Sequence, residues 1–115
     1  FAAAAYINQR IRATASIHGV ELVTDSEQSP HLNSHKIKGE IYFGCAETDE
    51  WVPNEMIESL DKHLSKTNIN YRIEWYPGTQ HGFVFPERKG KYHRASAERH
   101  WHRILSLFER NLKKS

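Results

Sequence analysis

Cysteine occurs once in this sequence, at Cys45. A single thiol excludes an intrachain disulfide framework and fits a reducing, cytoplasmic setting. Long apolar runs are missing too: none approaches the roughly 20 residues needed to span a bilayer. No signal-peptide pattern is visible, so no membrane partner is expected. An excess of one charge is also lacking, with 16 basic against 14 acidic residues and a net charge of +2. The basic residues are spread along the chain, apart from a mild cluster from Arg88 to Arg103. A nucleic-acid surface needs a basic face and a matching fold motif, and neither is evident. Internal repeats and low-complexity linkers are absent as well.

What is present is enough for one modest domain. The chain has 115 residues, 38% of them apolar, with three tryptophans. That composition is globular rather than disordered. The start is unusual. The stretch from Phe1 through four alanines to Tyr6, Ile7 and Gln9 reads as a helix, since alanine is the best helix former. It carries no capping residue and no initiator methionine. The expectation is therefore a partial domain over 1–115, entered in mid-helix.

Further along, Arg12 to Ile17 is β-like and stops at His18-Gly19. Val20 to Lys38 is polar and reads as a long loop. Gly39 to Cys45 reads as a second strand, and its apolar continuity predicts burial on both faces. From Pro53 to Leu64 the pattern is an amphipathic helix, with Pro53 at its first position and Met56, Ile57, Leu60 and Leu64 in one stripe. Tyr71 to Tyr76 is a third strand that stops at Pro77-Gly78. Its alternation places Ile73 and Trp75 on one side, Arg72 and Glu74 on the other. A last helix runs from about Tyr92 to Lys113, with Trp101, Ile104, Leu105, Phe108 and Leu112 at helical spacing. Strands alternating with helices imply an α/β fold: three mainly parallel strands with flanking helices.

Two residues that can carry chemistry fall at strand ends. Asp49 follows the second strand and His81 follows the third. In a parallel sheet both ends lie at one edge, where open α/β sheets build their sites. A carboxylate beside an imidazole fixes the ring's tautomer and stabilises the imidazolium. Asp before His is also the chain order of α/β-hydrolases, whose nucleophile precedes both. The same two residues also read as a capping carboxylate and a surface-loop imidazole. The residues alone leave both readings open.

Three stretches carry a resemblance to a known family. They are Gly39-Glu-Ile-Tyr-Phe-Gly-Cys-Ala-Glu-Thr-Asp49-Glu-Trp-Val-Pro53, Glu74-Trp-Tyr-Pro-Gly-Thr-Gln-His81-Gly-Phe83 and Ala97-Glu-Arg-His-Trp101. Together they resemble the C-terminal half of the dienelactone hydrolase family. The resemblance implies the C-terminal part of an α/β-hydrolase fold and hydrolysis of a small-molecule ester or lactone, without a cofactor. It also implies a triad of Cys or Ser, His and Asp. By motif match Asp49 is the acid and His81 the base. Glu50 is the rival to Asp49, but the family pattern places the acid three residues after Ala46 and four before Pro53. The family's Gly-x-Cys/Ser-x-Gly elbow is absent, and so is the oxyanion-hole loop. The resemblance therefore implies a chain that is inactive alone.

Other groups are weaker candidates. Cys45 lacks the second glycine of an elbow and is not followed by a helix, so it reads as a buried, inert thiol. The eight histidines do not make a metal site: His100 and His102 point to different helix faces, and His31 and His35 lack partners at zinc spacing. Trp51, Phe83 and Arg88 are candidates for contact with substrate. Phe83 reads equally well as loop packing. An alternative function is a non-catalytic module that docks on another chain, such as a missing N-terminal half, or associates with itself, because a small parallel sheet needs cover.

Overall fold

The computed structural model describes residues 11–17, 19, 22, 23 and 37–112. The expected opening helix and most of the expected long loop lie outside them. Three strands, β1 (Ala13–Ile17), β2 (Glu40–Thr48) and β3 (Tyr71–Gln80), form one sheet in the order β1-β2-β3. Both pairings are parallel. Helix α1 (Asn54–Leu64) lies between β2 and β3, and α2 (Arg94–Leu112) follows β3.

The two helices cover opposite faces. On one, Ile41, Phe43 and Cys45 of β2 cluster with Ile57, Leu60 and Leu64 of α1. On the other, Tyr42 clusters with Ile104 and Leu107 of α2, and Ala13, Ala15 and Ile17 of β1 pack beside them. Alternate residues of β2 thus enter different cores, which is why its sequence is apolar without alternation.

Several boundaries differ from the sequence reading. Pro53 is the N-cap of α1, with φ −58° and ψ 143°, not its first helical residue. Its extended ψ ends the approach from Asp49, and the helix begins one residue later. β3 does not stop at Pro77-Gly78 but continues to Gln80. The register explains how. Ala46 pairs with Tyr76, and the next pair is Thr48 with Gln80. Three residues of β3 thus face Glu47 alone, a bulge that accommodates a proline with no N–H and a glycine at φ 75°.

The stripe of α2 is also rotated from its expected place. The buried residues are Ser96, Ala97, His100, Ile104 and Leu107. Trp101, Leu105 and Leu112 are 41%, 67% and 59% exposed. Helix α2 therefore carries two apolar stripes, and the sheet takes the one with smaller residues near its start. His93 caps this helix: its Nδ1 accepts from the Ser96 backbone N–H at 3.3 Å.

Candidate active site

The parallel pairing of β2 and β3 brings their carboxyl ends side by side, and the acid and the imidazole project from there. Asp49 directly follows Thr48, and His81 directly follows Gln80. His81 Nδ1 lies 2.7 Å from Asp49 Oδ2. The Asp49 side chain is 4% exposed and that of His81 is 22% exposed. The carboxylate is shielded while the ring keeps an open edge.

Asp49 is held from its own loop. Its Oδ1 accepts the backbone N–H of Trp51 at 2.9 Å. Its carbonyl accepts the N–H of Val52 at 3.2 Å. Each carboxylate oxygen thus has a partner, and only Oδ2 is aimed at the imidazole. With Nδ1 donating to a carboxylate, a neutral ring carries its lone pair on Nε2. That is the arrangement a general base needs. Glu50, the rival acid, is exposed and forms no part of this pair.

His81 is positioned by the tight turns that follow β3. Phe83 N–H donates to Gln80 C=O at 3.1 Å, and Phe85 N–H to Gly82 C=O at 3.1 Å. Gly82 has φ 89°, a conformation that side chains with a Cβ rarely adopt. A Cβ there would lie 3.4 Å from Arg88 Cζ. The Arg88 guanidinium thus rests against the residue next to His81.

The other candidates separate. The Trp51 ring is 64% exposed, while its backbone N–H serves Asp49. Phe83 is fully buried, with its ring 5.1 Å from that of Tyr76 and 5.8 Å from that of His100. Its place is in the packing beneath the loop. An apolar ring finds more contact under α2 than at the loop surface. Cys45 is buried, and burial first, then the Asp49 charge, pushes its thiol up to about 12. A thiol so placed is protonated at neutral pH and is a poor nucleophile. Among the described residues, no group of three His, Cys, Asp or Glu side chains is placed to hold a metal. Among them, too, no helix is long and apolar enough to cross a membrane.

Sequence reasoning missed the polar cluster beneath α2. Tyr42 donates to Glu74 Oε1 at 2.7 Å, and Tyr76 donates to the same oxygen at 3.1 Å. The two tyrosine hydroxyls also meet each other. Arg103 Nε donates to Glu74 Oε1 at 3.2 Å. Burial opposes the Glu74 charge, but hydrogen bonds from Tyr42, Arg103 and Tyr76 outweigh it, and the carboxyl lies below its ordinary range. The signal available was the pairing of two tyrosines with a glutamate on alternate strand positions.

The chain is similar to known proteins. The family model described as "Dienelactone hydrolase family" matches residues 1–112. A Synechocystis protein named "Putative carboxymethylenebutenolidase" is 31% identical over 108 residues, which is 90% of this chain and 43% of that protein. A mouse "Carboxymethylenebutenolidase homolog" is 32% identical over 80 residues, 69% of this chain and 30% of that one. Among solved structures, a Klebsiella pneumoniae "Putative Dienelactone Hydrolase" superposes with a TM-score of 0.78 at 23% identity, covering 90% of this chain and 44% of that one. An acylaminoacyl peptidase superposes with a TM-score of 0.73 at 16% identity, over 97% of this chain and 22% of that one. These likenesses establish an α/β-hydrolase fold. The chain spans less than half the length of these relatives.

Proposed function

This chain belongs to the dienelactone hydrolase family, and from that premise we propose that it supplies the acid and the base of an ester- or lactone-hydrolysing triad. His81 is the general base and Asp49 its orienting acid. The observation that carries the reading is the 2.7 Å contact from His81 Nδ1 to a carboxylate otherwise shielded from solvent. The Asp49 carboxylate fixes the tautomer and stabilises the imidazolium formed during proton transfer.

The reaction follows from these roles. A Cys or Ser nucleophile, outside this chain, loses its proton to His81 Nε2 and attacks the ester or lactone carbonyl. The C–O bond then breaks, and His81 returns the proton to the departing oxygen. Water repeats the cycle on the acyl-enzyme, using His81 again as base. No cofactor takes part. The chain by itself is inactive in this scheme, because attacking atom and oxyanion donors both come from elsewhere. Trp51 and Arg88 flank the pair and are the residues we place nearest the substrate. The outward stripe of α2 fits the same scheme, since the rest of a hydrolase domain would cover it. The lone buried thiol supports a cytoplasmic setting.

The test is turnover of a p-nitrophenyl ester by a full-length protein that contains this segment. His81→Ala and Asp49→Asn are each expected to lower kcat by about 10⁴-fold with the fold retained. Turnover within tenfold of the unsubstituted enzyme in His81→Ala would remove His81 from the triad.

A further inference from the structure

The β2–β3 ladder is interrupted just before it reaches the acid and the base. Between the pairs Ala46–Tyr76 and Thr48–Gln80, β3 spends Pro77, Gly78 and Thr79 against Glu47 alone. Pro77 has no N–H to give, and Gly78 turns the chain at φ 75°. What spans the gap is one side chain. Thr79 Oγ1 accepts the Glu47 backbone N–H at 3.2 Å and donates to the Tyr76 carbonyl at 2.5 Å. Thr79 is 2% exposed, although both its sequence neighbours are exposed.

The place of this hydroxyl matters. Glu47 lies two residues before Asp49, and Thr79 lies two before His81. Past the bulge, the strands meet only through Thr48 and Gln80. The spacing of two loops that must hold a 2.7 Å contact thus depends on very few ties. We infer that Thr79 is a positioning residue: its hydroxyl replaces the lost ladder bonds and sets the register in which Asp49 meets His81. The inference rests on the acid–base reading above, and it adds a third side chain that touches neither substrate nor the reacting atoms.

Here one hydroxyl oxygen both accepts and donates. Thr79→Val keeps the shape and the β-branch but does neither. Thr79→Ser keeps the hydroxyl with a smaller body. The readout is the low-field imidazole Nδ1–H resonance of His81, followed by NMR in the full-length protein that contains this segment, with no activity required. Thr79→Ser is expected to retain it. In Thr79→Val, proton exchange with water at that site should be about tenfold faster, the effect of losing roughly one net hydrogen bond, while the amide spectrum stays dispersed. An unchanged exchange rate in Thr79→Val overturns the positioning role and leaves the acid–base reading standing. An exchange rate for the His81 Nδ1–H that Asp49→Asn leaves unchanged overturns the Asp49–His81 pairing itself. A second measurement needs no variant: the Glu47 amide and the His81 Nδ1–H should exchange through the same opening across temperature. Independent opening of the two overturns the proposal even if Thr79→Val does not fold.

Discussion

At the scale of single residues, the unusual side chain is His100. It is fully buried, and among the described residues neither ring nitrogen has a hydrogen-bond partner. The rings of Tyr42, Tyr76, Phe83 and Trp101 surround it at 5.5 to 5.8 Å. It fits because β2 has a glycine opposite. A Cβ on Gly44 would lie 2.4 Å from His100 Nε2. Gly44→Ala is therefore expected to cost about 2 kcal/mol through overpacking. In Gly44→Ala/His100→Ala the cost of the glycine change should largely disappear, because the clash needs both side chains. Chemical denaturation of the four proteins measures the coupling. Additive effects would show that the two residues do not share a site. No sequence signal pointed to this pair, since histidine at a helical position reads as surface and glycine in a strand reads as a defect.

At the scale of elements, α2 shows how two apolar stripes compete for one face. Leu105 and Leu107 are the same residue type on the same helix, two positions apart. Leu107 is 1% exposed and Leu105 is 67% exposed. Leu107→Ala should destabilise this chain by about 2–5 kcal/mol, and Leu105→Ala by less than about 0.5 kcal/mol. Denaturant midpoints give both numbers, and equal effects would mean that the helix sits on its other stripe. The choice between stripes was not legible in the sequence. The exposed one has the larger and more apolar side chains, so hydrophobicity alone selects it. The sheet instead takes Ala97, His100, Ile104 and Leu107, because Tyr42 and Tyr76 already fill the space and leave room for small or flat side chains beside them. For α1 no such rivalry exists. Its stripe of Ile57, Leu60 and Leu64 is buried as its spacing implies.

For the whole molecule, the two cores respond differently to acid. His100 lies on the α2 side, and burial holds its pKa down at about 4, only partly offset by the Glu74 charge. In the unfolded chain it titrates near its ordinary value, about 6.5. The neutral form in the fold is therefore no handicap above about pH 6.5. As pH falls from there towards 4, the unfolded chain takes up a proton that the folded one does not. Stability should drop by roughly 3 kcal/mol across that window. Glu74, held below its ordinary range, adds a further loss at lower pH still, as its carboxylate is protonated. His100→Leu should flatten the slope between pH 6.5 and 4 and leave the Glu74 part in place. Thermal or urea unfolding at a series of pH values checks this. The same slope with and without His100 would place the proton uptake elsewhere.

What the sequence determined by itself is local and periodic. The strand under Asp49, the strand under His81, the helix between them and the parallel order follow from apolar runs and turn residues in series. Asp49 and His81 could be expected near each other because both follow strands, and strands in parallel must end at one edge; naming them acid and base rested on the family resemblance. Tertiary structure decided what depends on neighbours distant in the chain. It chose the buried stripe of α2 and enclosed His100 against Gly44. It gathered Glu74 and two tyrosines into one cluster, and carried β3 through Pro77-Gly78 to Gln80. In each case the deciding energy is contact or hydrogen bonding between residues far apart in sequence, which no local pattern encodes. The Thr79 hydroxyl belongs to this second group. A threonine after Pro-Gly reads as a turn residue until the fold places Glu47 and Tyr76 on either side of it.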